Sequence, residues 1–183
     1  MELQETKKVL NSFAKYVIQQ SRSNLTKGKK NFNKKLYNSL NYKLLFDNSG
    51  FILQFIMEEY GSYQDEGVKG KDPSKVSSNA KITGQQAPNS RFRFGSGTSR
   101  GTFDRFAKRM SLFAKAKNIR FRQGKSGKFA KGGYDAMGYV IAKNIYSRGI
   151  KPSLFFTKPF EKRFETLPKT LIASFVNDFE KEL

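Results

Sequence analysis

Cysteine and histidine are absent from the 183 residues, and so is tryptophan. The first two absences remove a good deal of chemistry. No disulfide, zinc finger, thiolate nucleophile, Ser-His-Asp triad or haem-type histidine ligation can be assembled from this chain. Without cysteine, the redox compartment leaves no mark on the sequence. Acid is scarce as well: 15 Asp and Glu stand against 35 Lys and Arg, for a formal net charge of +20. Apolar residues are lean at 37%, and no run of them approaches the roughly 18 residues of a spanning helix, so no membrane partner is expected. The opening MELQETKKVLNSF has acids ahead of its first lysine and no unbroken apolar stretch, so it does not read as a secretion signal.

Aromatic residues are plentiful. Eighteen Phe and eight Tyr offset the lean apolar fraction, because each ring buries a large area. The length suits a single domain over 1–183. The positive charge is concentrated. Residues 1–68 hold 10 basic and 7 acidic side chains, 69–151 hold 20 and 3 (Asp72, Asp104, Asp135), and 152–183 hold five of each. A block with that balance repels itself unless an anionic partner or acidic surface lies close, and nucleic acid is the commonest such partner. The plainer alternative is a solvated basic face that only maintains solubility.

Leu3, Leu10, Phe13, Val17 and Ile18 make one stripe of an amphipathic N-terminal helix that loses its pattern near Ser21 to Asn24. A basic connection and a short segment through Leu36–Leu40 follow. Tyr42, Leu44 and Phe46 alternate, Asp47-Asn-Ser-Gly50 supplies turn residues, and Phe51, Leu53, Phe55 and Met57 alternate again, which predicts a β-hairpin. Residues 68–90 hold almost no apolar side chain and are expected not to order themselves. Phe103, Phe106, Ala107, Met110, Phe113 and Ala114 predict a helix, and so does Tyr134–Arg148, closed by Gly149. Residues 150–156 read as extended. Pro159 and Pro168 suit helix first turns, and the last helix is expected to present Leu171, Ile172, Phe175, Val176 and Phe179. The expected fold class is α+β, with helices packed on a small antiparallel sheet and a long basic, Gly-rich insertion or arm over 69–133.

Catalytic motifs fail on inspection. Gly124-Lys125-Ser126 has the triplet of a phosphate-binding loop, but Ile119 stands where that loop needs its first glycine. The carboxylate pairs Glu58/Glu59 and Asp65/Glu66 lack a histidine, a spaced third ligand or a nucleophile, so no enzyme activity, metal or cofactor is expected. Counter-charge for the basic arm of a neighbouring subunit is the simpler reading of those acids. The candidate interface is the basic set Arg91, Arg93, Arg100, Arg105, Lys108, Arg109, Arg120 and Arg122. These could neutralise phosphates or meet another subunit. Alternation predicts that the interleaved Phe side chains turn inward.

The order of segments carries a resemblance. A helix is followed by Leu36-Tyr-Asn-Ser-Leu40, a hairpin, Glu59-Tyr-Gly-Ser-Tyr-Gln-Asp-Glu-Gly67, an insertion, and Gly149-Ile-Lys-Pro-Ser-Leu-Phe-Phe-Thr-Lys-Pro-Phe160 leading into a final helix. This resembles the head-to-tail joining and tail-completion (neck) proteins of tailed bacteriophages. Tyr60, Tyr63, Asp65 and Gly67 occupy the family's Y-x-x-Y-x-[ED]-x-G element. Pro159 with Phe160, or Pro152 with Phe155 and Phe156, occupies its proline–aromatic element. The resemblance implies a non-enzymatic virion protein of the neck or tail, assembled in the host cytoplasm. Its implied partners are copies of itself in a cyclic ring, a portal or connector on one side, tail proteins on the other, and DNA through phosphate contacts. The alternative from a different class is a sequence-nonspecific nucleic-acid-binding protein.

Overall fold

A computed structural model describes residues 3–30, 33–47, 50–78, 80–96, 101–123, 127–128, 130 and 133–181. Seven α-helices and two small antiparallel sheets are found among them, so the fold is α+β. The chain separates into two compact units where the sequence suggests one domain carrying an arm. One comprises residues 1–65 with 153–183, and the other 66–152. The basic stretch 69–133 is therefore part of a compact unit with its own helices.

In the first unit, α1 (Gln4–Lys27) buries Leu10, Phe13, Ala14, Val17, Ile18 and Leu25. It continues past the point where the apolar stripe fades, because Ser21 occupies the next buried position and its hydroxyl donates to the Val17 carbonyl (2.7 Å). The short α2 (Lys35–Ser39) and the following residue supply Leu36 and Leu40 to the same core. Strands β1 (Asn41–Asp47) and β2 (Gly50–Ile56) form the hairpin, with Asp47 opposite Gly50 and Leu44 opposite Leu53. The turn positions 48–49 lie outside the described residues. Alternation puts Tyr42, Phe46, Leu53 and Phe55 on the half-buried face and Leu45 and Ile52 on the exposed one.

Helix α3 (Tyr60–Glu66) follows the hairpin. It begins with close packing: a Cβ on Gly61 would lie 2.5 Å from the Met57 sulfur and 2.9 Å from Leu36. Helices α6 (Thr157–Phe164) and α7 (Leu167–Glu180) complete the unit. Edge-to-face rings fill its centre, with Phe13–Phe160 at 5.6 Å and Phe55–Phe156 at 5.2 Å between centroids.

Neither α1 nor α6 is capped by its own N-cap residue. Each borrows a carboxylate from far along the chain. Asp178 on α7 accepts from the Glu5 and Thr6 amides, both at 2.8 Å. Asp65 on α3 accepts from the Phe156 amide (2.8 Å), the Thr157 amide (3.3 Å) and the Thr157 hydroxyl.

Docking through Asp178 turns α7 over. The helix faces α1 with Leu167, Leu171, Ser174 and Asp178, and leaves Ile172, Phe175, Val176 and Phe179 exposed. The apolar stripe read from the sequence is present, but only Leu171 of it meets the core.

In the second unit, β3 (Val68–Lys69) pairs antiparallel with β4 (Gly149–Ile150) where the chain enters and leaves. Helices α4 (Phe103–Ala116) and α5 (Gly133–Arg148) pack closely on a seam of small residues, Ser111, Ala114, Gly138 and Ala142. A Cβ on Gly138 would run into the Ser111 backbone, 2.5 Å from its Cα. The Ser111 hydroxyl is also hydrogen-bonded to the Asp135 carboxylate.

The stretch 68–90, expected to stay unordered for want of apolar surface, has defined structure at its described positions. Polar bonds hold it. The Gln85 side chain accepts from the Gly70 amide (3.0 Å) and donates to the Gly70 carbonyl (3.2 Å). The Gln86 amide donates to the Arg148 carbonyl (2.7 Å), Ser90 Oγ to the Gly67 carbonyl (2.8 Å), and Arg148 Nη1 to the Ile82 carbonyl (3.1 Å).

Candidate functional site

The second unit contains 20 basic and 4 acidic residues, a balance of +16, against 15 and 11 in the first. Three of its four acids, Glu66, Asp72 and Asp135, are engaged locally. Glu66 takes a two-point contact from Arg91, with Nε at 2.9 Å and Nη2 at 2.8 Å. Asp72 caps the 3-10 turn Pro73–Lys75 through the Ser74 hydroxyl and amide and meets Lys75 at 3.5 Å. The Ser74 hydroxyl bond is the main reason its carboxyl sits below the ordinary carboxylate range.

The basic residues singled out in the sequence do not act alike. Arg105, Lys108 and Arg109 are exposed on α4 at i, i+3 and i+4, followed by exposed Leu112 and Lys115. Thr102 fixes the start of that helix by accepting from the Arg105 amide (3.3 Å). Arg93 is exposed beside the bridge that its backbone makes with Lys69. Arg91 is exposed as well but is paired with Glu66. Arg120 lies over the Tyr134 ring at 5.1 Å, and Arg122 Nη1 donates to the Gly127 carbonyl (3.0 Å). Arg100 lies outside the described residues.

Arg105 and Arg109 also line a pocket of about 310 Å³ with Phe94, Phe103, Phe106 and Tyr146. Phe94 stacks on Phe106 (6.0 Å) and leans on Tyr146 (5.4 Å), so it turns inward as alternation predicts. The pocket therefore has aromatic walls and two guanidinium groups at its rim. Sequence reasoning found those Arg and Phe residues but missed Tyr146, which lies 37 positions beyond Arg109 and 52 beyond Phe94 and is brought to them by α5.

The motif residues are distributed as follows. In the first unit, Asp65 is buried as the cap of α6, while Tyr60 and Tyr63 on the same helix are exposed. Partial burial lifts the Tyr60 phenol above its usual value. Phe155 is 1% exposed in the cluster with Leu36 and Leu40, Phe156 and Phe160 pack against Phe55, and Pro159 is buried in the first turn of α6. In the second unit, Gly67 has φ +74°, and a Cβ there would lie 2.5 Å from the Ile150 carbonyl oxygen and 2.7 Å from the Pro152 nitrogen. Glycine is required.

One expectation for the acids is corrected. Asp65 is engaged with α6 and Glu66 with Arg91, so neither is a free counter-charge for another subunit; only Glu58 and Glu59 of that group are exposed without such a role. Among the described residues no group of three acidic side chains is placed to hold a metal, and no helix is long and apolar enough to cross a membrane.

The arrangement can bind anions through its α4 face and stack flat rings at the adjoining pocket. No protein-family model, curated protein or solved structure matches the chain.

Proposed function

We propose that the chain is a non-enzymatic structural subunit of the neck or tail of a tailed-bacteriophage particle. Its strongly basic unit, 66–152, would meet an anionic neighbour there, either the packaged DNA or an acidic protein surface. One observation carries this reading. The three segments that bear the family resemblance meet in one core: Leu36 and Leu40 pack with Phe155, and Asp65 caps the helix that Phe156 opens. Segments from both ends of the sequence thus depend on one another, as a shared family motif should. Contacts of the α4 cations with DNA would read phosphate and no sequence.

Immunogold labelling of purified particles from the source tests it. Gold at the junction of capsid and tail is the expected result. Particles without label, together with denatured particles that lack the protein on a blot, overturn it.

The second reading is a sequence-nonspecific nucleic-acid-binding protein, favoured by the α4 cations beside the ring-lined pocket. It requires the isolated subunit to bind DNA with a steep salt dependence. Replacing Arg105, Lys108 and Arg109 by Gln would then lower the log–log salt slope by about 3.

A further inference from the structure

We propose that the outer face of α7 is a self-association surface, on which α7 of a second copy packs antiparallel about a two-fold axis. The inference is independent of the neck assignment and concerns the first unit alone.

The face is uncovered for a structural reason. Asp178 and Ser174 bring the polar side of α7 onto α1, which turns the apolar side out. Ile172 is 67% exposed, Phe175 49%, Val176 47% and Phe179 52%. Their spacing, i, i+3, i+4 and i+7, is the seam with which one helix receives another. Side chains of this size at these exposures leave on the order of 400 Å² of apolar surface per copy, which suits the dry core of an interface covering about 800 Å² per partner.

Charge selects both the partner and the direction. Lys169 and Glu180 are exposed, eleven positions and so close to three full turns apart, and they lie on the same flank of the seam, one towards each end. In an antiparallel two-fold pair, like flanks face each other with the ends exchanged. Lys169 of one copy then lies beside Glu180 of the other, and the axis repeats the contact. A parallel pair would set each of these charges against the opposite flank. Complementarity of a single segment with its own inverted copy is what a two-fold contact requires.

The experiment uses the full chain. Sedimentation equilibrium should report a reversible dimer of about twice 20.9 kDa, and the double substitution F175E/V176E should give a monomer with unchanged far-UV circular dichroism. Those two side chains leave the core untouched, so folding is preserved. K169E puts two like-charge contacts in each dimer and should raise Kd about ten-fold, while K169E/E180K should return it to within about three-fold of the parent. The chain has no cysteine, so V176C carries a single thiol close to the axis and should cross-link through a short bismaleimide. K169C, about 16 Å from its mate by helix rise, should not. A parent that stays monomeric at 100 µM, a dimer unmoved by F175E/V176E, or K169C linking as readily as V176C overturns the proposal. None of these outcomes bears on particle labelling, so the two inferences fail separately.

Discussion

Replacing Asp65 by alanine removes the cap that α6 takes from α3. Its side chain is 5% exposed and holds two amides and a hydroxyl at the first turn of that helix. Thr157 Oγ1 can rotate to a new acceptor, but the amide hydrogens of Phe156 and Thr157 are fixed by the backbone. Each partly buried donor left without its charged acceptor costs about 1–2 kcal/mol, so the substitution should cost about 3 kcal/mol. Asp65→Asn keeps one acceptor oxygen and should cost about half of that. In urea, with a slope near 2 kcal/mol per molar, the alanine variant should lose about 1.5 M from its midpoint, or about 6–12 °C in Tm. Far-UV circular dichroism gives the transition, since the chain has no tryptophan to report it. The control is the adjacent carboxylate: Glu66→Ala breaks only the exposed pair with Arg91 and should cost less than about 1 kcal/mol. If Asp65→Ala falls within about 0.5 kcal/mol of the parent, or costs no more than Glu66→Ala, the long-range cap is not a stabilising element.

Acid should weaken the junction of α1 with α7. Burial opposes ionisation of Asp178, but the amide bonds from Glu5 and Thr6, the Thr6 hydroxyl and nearby Lys181 outweigh it and hold the carboxyl below its ordinary range. Stability from this group is complete above the unfolded-state value near about 4 and disappears as pH falls through the folded-state value. The urea-midpoint gap between the parent and Asp178→Asn should therefore narrow as pH drops below about 4, and a gap constant from pH 7 to 2 refutes this. Gly138→Ala forces a methyl against the Ser111 backbone, where nothing can yield cheaply. Differential scanning calorimetry should show a loss of about 2–3 kcal/mol, and a neutral result would mean that α4 and α5 are not so close. Phe155→Ala should cost about 3–5 kcal/mol by urea denaturation, because the ring is enclosed by Ile18, Leu25, Leu36 and Leu40.

How much of this was readable from the sequence differs by element. Period-two alternation gave the hairpin and its inward face, and period-3.6 stripes gave α1, α4 and α5. For α7 the stripe was legible but its direction was not. Periodicity tells which residues share a face; which face meets the core was decided by two polar residues, Ser174 and Asp178, and their bonds to α1. Residues 68–90 misled for a related reason. Hydropathy has no term for a glutamine side chain that substitutes for a strand, as Gln85 does against Gly70. Helix α3 escaped because seven residues with an early glycine show no period, and its position is fixed by contact with Met57 and Leu36. At the candidate site, charge counting found the α4 cations and could not foresee that Arg91 is held by Glu66 or that Tyr146 completes the ring-lined wall.

The discontinuity of the first unit bears on the order of events during synthesis. Its core needs Phe155 and Leu167, and both of its borrowed caps need α6 or α7, so it cannot close until the last helices have left the ribosome. Residues 66–152 emerge earlier and carry both the β3–β4 pairing and the α4–α5 seam. A released fragment ending just after Pro152 should protect α4 and α5 from protease, whereas the first unit's α1, deprived of α6 and α7, should stay open to cleavage. The two-strand pairing at the neck of the second unit would then act as a clasp, shortening the loop that the first unit has to close.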